Sequence, residues 1–343
     1  MPLKINYGIE GVKNMKIKNK KLFSLLSLFV LFVLSLETLS ACQKAKVAQK
    51  NVTLANWSQL IVEQTNLLAE EKRGFFKEKG IDLKIIPGKG GQDALKNMLA
   101  DKADVALSDP GAVYSALAQG EDLVILYTVY PQNVFNVITK DEKIQSPKDL
   151  KGKKIGIYSR ASGTYQNLLV LLHQAGISEK DVELLEVGIS NFGPLLQGHV
   201  DATAATDTAL ASAKNAGLTD AKIFNVKDSL NIPSDFFVMK RSTYEKNKEL
   251  YKNFVKAYEK SAQWMMDHPD EAVEVAADKA IDGQDKTLDR KIIDLRNKSS
   301  LSNDGKLGEM DKDLIQKGAD AYYQLGLIKN KLDMNKFIIS IED

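Results

Sequence analysis

The chain has 343 residues with 47 basic and 45 acidic side chains, a length that suggests about two domains. The first 41 residues hold six lysines and two glutamates, so the remainder carries 41 basic against 43 acidic residues. This balance excludes the basic field that nucleic-acid binding needs, and the single cysteine excludes a disulfide framework and any multi-cysteine metal site.

Residues 1–41 have the pattern of a bacterial signal peptide. A lysine-rich segment precedes an apolar run of about 15 residues, Leu22–Leu36, which is shorter than the ~20 residues of a membrane-spanning helix. The run leads to Leu39-Ser40-Ala41-Cys42, which resembles the lipobox of bacterial lipoproteins. That resemblance implies cleavage before Cys42 and attachment of acyl chains such as palmitate. The acyl chains would anchor the protein to the extracytoplasmic side of the cell membrane. A free thiol beside an ordinary signal peptide is the alternative, and Met15 is a second candidate for the translation start.

Short apolar runs alternate with amphipathic helices from residue 51 onward. In the first cycle, strands are predicted over 52–55, 81–86, 105–107 and 123–129, with helices between them. In a second cycle, strands are predicted over 155–158, 182–187, 202–205 and 223–224. A strand at 236–239 is predicted to return the chain to the first lobe, and helices follow over about 269–281, 286–297 and 311–325. This order indicates an α/β fold of mostly parallel sheets flanked by helices.

The repeated cycle predicts two lobes with a cleft between them. We expect a tether at 42–50, lobe I at 51–139 plus 236–343, and lobe II at 140–235. In open α/β sheets, ligands bind outside the carboxyl ends of the strands, so the cleft is the expected site.

Polar turns follow the strands on one side of both lobes. They are Trp57-Ser58-Gln59, Gly90-Gly91-Gln92-Asp93, Ser108-Asp109-Pro110, Ala161-Ser162-Gly163-Thr164, Thr206-Asp207-Thr208 and a candidate sixth, Ser190-Asn191-Phe192-Gly193. Free helix N–H groups and short polar side chains suit the oriented binding of a small polar ligand. For each Ser, Thr and Asp the alternative is helix capping, and for Trp57 the alternative to stacking on a ligand is core packing.

The sequence carries no recognisable catalytic motif. His173, His199 and His268 lack metal-ligand spacing, and no serine lies in a G-x-S-x-G elbow. The glycine-rich segment 87–91 lacks the residue order of a phosphate-binding loop. We therefore predict a protein without catalytic residues, metal or cofactor.

Several segments resemble one known family. Gly74-Phe75-Phe76-Lys77-Glu78-Lys79-Gly80-Ile81-Asp82-Leu83 resembles a signature of solute-binding proteins that serve ABC importers for nitrate, sulfonates, taurine and thiamine-pyrimidine precursors. Segments 103–106, 146–156 and 196–202 resemble its other landmarks, and the match covers about residues 51–280. The resemblance implies a type II periplasmic-binding-protein-like fold, monomeric, whose two lobes close on a small solute. The solute is then handed to a membrane permease driven by an ATPase.

The resemblance also implies a ligand shell at the cleft turns. Its members are Trp57, Ser108, Asp109, Ser162, Gly163, Thr164, Asn191, Phe192 and Asp207. One branch of the superfamily contains enzymes that make the thiamine pyrimidine, but their cysteine-rich motif is missing here, which disfavours an enzyme. A surface lipoprotein acting as a sensor or adhesin is the other alternative.

The charged residues near the cleft turns bear on the ligand. A simple anion suits helix N-termini and an arginine, and Arg160 is the one arginine near a cleft turn. Asp93, Asp109 and Asp207 oppose a buried anion. They favour a solute with an amino or ring N–H group, such as an aminopyrimidine or taurine.

Overall fold

The computed structural model describes residues 49–189 and 192–341. The predicted signal peptide with Met15, the lipidation site Cys42 and the site residue Asn191 lie outside the described residues. The first strand begins at Lys50, so the predicted tether ends before that residue. Within the described ranges no helix is both long enough and apolar enough to cross a membrane.

Ten strands in the described residues form two sheets of five strands each. They are β1 (Lys50–Ala55), β2 (Ile81–Ile86), β3 (Val105–Ser108), β4 (Leu123–Tyr130), β5 (Phe135–Thr139), β6 (Lys154–Ile157), β7 (Glu183–Glu186), β8 (Ala202–Thr206), β9 (Lys222–Asn225) and β10 (Asp235–Lys240).

Helices connect most of these strands and continue beyond β10. They are α1 (Thr65–Leu68), α2 (Glu70–Arg73), α3 (Phe75–Glu78), α4 (Gly91–Leu99), α5 (Pro110–Ala118), α6 (Gly163–Gln174), α7 (Gly193–Leu196), α8 (Asp207–Asn215), α9 (Arg241–Lys246), α10 (Lys248–Asp267), α11 (Pro269–Lys279), α12 (Lys286–Ser299) and α13 (Lys312–Gln324). Short 3-10 helices lie at Val62–Gln64, Pro147–Leu150, Glu179–Asp181, Val226–Asp228 and Met334–Lys336. The three predicted C-terminal helices are confirmed to within two residues at each end.

The two sheets have the same topology. The strand order is β2-β1-β3-β10-β4 in the first and β7-β6-β8-β5-β9 in the second. β1 runs parallel to β2 and β3, and β6 runs parallel to β7 and β8. β10 and β5 are each antiparallel to both of their neighbours. The predicted α/β class is confirmed. Both sheets are mixed: four of the five strands in each run in the same direction, and the fifth is antiparallel to them.

In each sheet, one strand comes from the part of the chain that otherwise forms the other sheet. β10 returns to the first sheet as predicted, but β5 lies in the second sheet, between β8 and β9. The predicted lobe boundary after Thr139 is therefore corrected, because Phe135–Thr139 belongs with the second sheet. Backbone pairing with strands more than 60 residues later along the chain decides this membership. Two strand-to-strand connections, β4 to β5 and β9 to β10, thus join the two halves.

Helices cover the first sheet on both faces, which explains why all eight residues of β4 are buried. On one face, α10 packs its aromatic residues on β10. The ring centres of Phe237 and Tyr258 lie 4.7 Å apart, and the rings meet edge to face. Further along the chain, helix α12 is capped by Asp285 and buries Ile292 and Ile293. Since residues four apart share a helix face, Ile292 and Arg296 point the same way, which carries the arginine inward.

Candidate functional site

Two adjoining cavities lie beyond the carboxyl ends of the strands, with residues of both sheets in their walls. The outer cavity has a volume of about 280 Å³ and the inner cavity about 50 Å³. They share five lining residues, namely Trp57, Glu63, Tyr158, Thr164 and Thr206. Trp57 follows β1 of the first sheet, while Tyr158 follows β6 and Thr206 ends β8 of the second. The cavities therefore lie where the strand order predicts a ligand site.

Polar residues at the site cap the helices that follow the strands. An Asp109 carboxylate oxygen accepts a hydrogen bond from Ala112 N at 3.1 Å, at the start of α5. Ser162 accepts one from Tyr165 N at 3.3 Å at the start of α6. Thr206 accepts one from Ala209 N at 3.3 Å at the start of α8. The capping interpretation thus holds for these three residues, each of which also lines the inner cavity.

Glycines allow two loops to approach each other beside the inner cavity. Gly90 has a φ of 135°, and a Cβ there would lie 2.2 Å from the carbonyl oxygen of Ala161. Next to it, Gln92 N donates a hydrogen bond to the same Ala161 oxygen at 3.0 Å. A side chain at Gly90 would therefore separate the loop after β2 from the loop after β6.

Arg296 lies at the centre of a buried ion network. Its Nε donates to Glu63 Oε2 at 2.5 Å, and its Nη2 donates to Asp207 Oδ1 at 2.7 Å and to Thr208 Oγ1 at 3.0 Å. The guanidinium also lies 4.8 Å from the centre of the Tyr130 ring. Burial opposes the charge, but the carboxylates of Asp207 and Glu63 outweigh it and hold the pKa of Arg296 above its ordinary value.

Two further carboxyl groups border the inner cavity. Asp109 is 2% exposed, and its Oδ2 has no hydrogen-bond partner within the described part of the chain. Burial raises its pKa to about 6, against the lowering effect of backbone N–H groups at the start of α5. Asp235 is 6% exposed, and burial, followed by the negative charges of Asp109 and Glu63, raises its pKa well above the ordinary value despite the opposing effect of Arg296.

Six of the predicted site residues line the cavities. They are Trp57, Asp109, Ser162, Gly163, Thr164 and Phe192. Trp57 is half-buried and packs against the core of the first sheet, as the packing interpretation expects, and it also lines both cavities.

Two predicted residues do not line either cavity. Ser108 is buried and donates its hydroxyl to the Gly91 carbonyl oxygen at 2.9 Å. The carboxylate of Asp207 accepts hydrogen bonds from Arg296 and Ser299, so this charge is already paired.

The arginine of the site is Arg296, and the focus on Arg160 needs correction. Arg160 has a side chain that is 52% exposed and pairs with Glu179 at 2.6 Å. Besides Arg296, the residues that sequence reasoning missed include Glu63, Tyr130, Tyr158 and Asp235. A signal existed for Glu63, an acidic residue within the apolar stripe that begins at Leu60.

The chain is similar to several known proteins in sequence and fold. A family model described as NMT1/THI5 like matches residues 62–272. A Haemophilus influenzae protein provisionally named as a thiamine biosynthesis protein is 27% identical over 289 residues, covering 80% of this chain and 87% of that protein. The formylaminopyrimidine-binding protein of Halalkalibacterium halodurans is 26% identical over 217 residues, covering 62% of this chain and 65% of that protein.

A solved structure has a similar fold. The alkanesulfonate-binding protein SsuA from Xanthomonas axonopodis pv. citri, bound to MOPS, gives a TM-score of 0.69 at 15% identity, covering 85% of this chain and 99% of that one. At this level of identity, the likeness establishes the shared fold.

Proposed function

The chain belongs to the NMT1/THI5-like family, and from that premise we propose that it is the solute-binding component of an ABC importer. It captures a small polar solute, either sulfonate- or taurine-like or aminopyrimidine-like, and delivers it to a permease. One observation carries the proposal: the adjoining cavities are lined from both sheets, and two of the lining residues carry buried polar atoms, Asp109 Oδ2 and Arg296 Nη1, that have no hydrogen-bond partner among the described residues. Buried polar groups are normally hydrogen-bonded, so such atoms suit a ligand.

The solute is bound by closure of two lobes, one around each sheet. The chain passes between the sheets at β4 to β5 and at β9 to β10, and these connections act as the hinge. Closure brings Arg296 of α12 to Asp207 of α8, and the loop at Gly90 to Ala161. A solute that contacts both lobes binds only the closed form tightly and therefore shifts the population toward it.

The cavity walls suit binding better than covalent chemistry. Carboxyl and hydroxyl groups lie beside the aromatic rings of Trp57, Tyr158 and Phe192, an arrangement that holds a polar solute and covers its apolar parts. The relative named for formylaminopyrimidine binding supports this reading. A sensor or adhesin of the same fold is the other candidate, and dependence of solute uptake on a partner permease separates the two.

The protein is anchored outside the cell by lipid on Cys42. The lipobox-like Leu39-Ser40-Ala41-Cys42 supports this part of the proposal. Replacement of Cys42 by Ser should release the protein from the membrane fraction and abolish labelling by a palmitate analogue. Unchanged membrane association of the Cys42→Ser variant would contradict the lipid anchor. It would not bear on the proposal that the protein binds a solute.

Ligand binding is tested on the purified chain by native mass spectrometry before and after unfolding and refolding. We expect a retained small molecule before this treatment and none after it. A solute at 100 times its Kd stabilises the folded state by about 2.7 kcal/mol, which raises the melting temperature by roughly 5 °C or more. Failure of every sulfonate, taurine and aminopyrimidine probe, together with no retained molecule, would contradict the proposal.

A further inference from the structure

The pairing of β3 with β10 places two acidic residues beside each other. In this antiparallel pair Ser108 lies opposite Phe236, so Asp109, which follows β3, is adjacent to Asp235, the first residue of β10. Both side chains line the inner cavity and both are more than nine-tenths buried. The acidic pair is therefore fixed by sheet register and not by a flexible loop.

The cation of the inner cavity does not neutralise this pair. Arg296 is bound to Glu63 and Asp207, which already provide two carboxylates for one guanidinium. Asp109 and Asp235 add two more acidic groups, and no described residue forms a hydrogen bond with Asp109 Oδ2. The carboxyl groups thus exceed the cations. Even with Asp235 protonated, a sulfonate or nitrate beside this pair would meet the negative charge of Asp109 at low dielectric.

Size and shape also favour a small group at this position. The inner cavity has a volume of about 50 Å³, several times the 10–15 Å³ that one water needs, and five of its described lining residues also line the outer cavity. Its volume suits an amino group, whereas the outer cavity, at about 280 Å³, suits the body of the solute. Arg296 also lines the inner cavity, and its Nη1, which has no hydrogen-bond partner among the described residues, can donate to an acceptor atom of the same solute.

We propose that the inner cavity binds an amino or ammonium group of the solute, whose N–H groups donate to Asp109 and Asp235. This inference rests on the proposed function and narrows it, because it selects solutes that carry an N–H donor and rejects anions without one. The remainder of the solute lies in the outer cavity against Trp57 and Tyr158. The acidic pair thereby determines specificity.

Two pairs of probes test this inference, each differing only in the amino group. Taurine is compared with propane-1-sulfonate, and 4-aminopyrimidine with 4-methylpyrimidine, by calorimetric titration of the refolded full chain. We expect at least one amino probe to bind at least tenfold more tightly than its methyl counterpart, since a hydrogen bond to a charged group is lost in the latter. Equal affinities within both pairs, or no binding by either amino probe, would overturn the inference.

Variants connect the preference to the acidic pair. Asp109→Asn and Asp235→Asn should each reduce the amino-to-methyl affinity ratio at least fivefold, and asparagine retains the cap of α5. Asp93→Asn is the matched control: it removes one negative charge from the first turn of α4, next to the loop at Gly90, and Asp93 is not a lining residue of either cavity. Thermal unfolding of each variant without probe verifies that it folds. A ratio unchanged in both Asp109→Asn and Asp235→Asn overturns the inference.

The retained molecule distinguishes failure of this inference from failure of the proposed function. If native mass spectrometry identifies a solute without an N–H donor, the protein binds a solute but the inner cavity has a different role. If the retained solute carries an amino group and loses affinity in Asp109→Asn, both proposals are supported.

Discussion

Arg296 of α12 donates a hydrogen bond of 2.7 Å to Asp207, the first residue of α8, although 88 residues lie between them. Helix α12 packs beside the first sheet, whereas α8 follows a strand of the second, so the ion pair links the two halves of the fold. The same guanidinium is bound to Glu63 on the first-sheet side. One arginine therefore both stabilises one half and holds the other against it.

We expect Arg296→Met to lower the free energy of unfolding by about 3–5 kcal/mol. The substitution leaves the carboxylate of Glu63, 4% exposed, buried without its cation. Chemical denaturation monitored by circular dichroism measures the change. Arg290→Met is the control on the same helix: Arg290 is 41% exposed and pairs with exposed carboxylates, so we expect a change within about 0.5 kcal/mol. An equally small change in the free energy of unfolding for Arg296→Met would show that the buried network contributes little to stability.

Local sequence patterns were sufficient for most of the fold and for part of the site. Strand-then-helix alternation predicted the two sheets, and a short polar residue before each apolar helix predicted the caps at Asp109 and Ser162. The resemblance carried by Gly74–Leu83 was confirmed by the family match. These features depend on residues close together in the chain, where spacing and composition are informative.

The missed features depend on contacts between distant segments. β5 was missed because Phe135–Thr139 follows β4 closely, and only pairing with β8 and β9 defines it. Arg296 and Glu63 are separated by 233 positions, and neither has a local motif that marks a site. Asp207 was predicted as a free ligand carboxylate because its partner arginine was invisible in the sequence.

Intrinsic fluorescence should report binding through Trp57 and not through the second tryptophan. Trp57 lines both cavities, whereas Trp264 is 7% exposed, packs against Phe75 and lines neither of them. A bound solute should therefore change the emission of the Trp264→Phe variant as it does that of the unaltered protein. The change should be lost in Trp57→Phe. A change that persists in Trp57→Phe and disappears in Trp264→Phe would place the solute elsewhere.

The stability of the ligand-free protein should increase as the pH falls from about 6 to about 4. The pKa of Asp109 is about 6 in the folded state and 3.8 ordinarily, so over this interval the folded state binds a proton that the unfolded chain does not. The difference between these two pKa values corresponds to about 3 kcal/mol of added folding stability. Carboxyl groups whose pKa is lowered in the folded state, such as Asp141 and Asp149, lose their contribution to folding stability only at lower pH.

Asp109→Asn isolates this contribution, because the neutral amide does not titrate. Denaturation at pH 4, 5, 6 and 7 should show a smaller rise on acidification in the variant than in the unaltered protein. Asp289, whose pKa is also raised to about 6, adds a rise that Asp109→Asn leaves in place. Parallel pH profiles for the two proteins would show that Asp109 is not the titrating group.

Gly91→Ala should disturb the acidic pair without changing any charge. A Cβ at Gly91 would lie 2.3 Å from Asp109 Oδ2 and 2.6 Å from Asp109 N, so either the carboxylate or the backbone must move. Overpacking of this kind costs about 1–3 kcal/mol, and displacement of Asp109 should weaken solute binding at least tenfold. Gly193→Ala is the control, since a Cβ there meets no atom of the described residues within 4 Å. Thermal unfolding and titration of both variants test the expectation, and wild-type affinity in Gly91→Ala would mean that the position of Asp109 does not control binding.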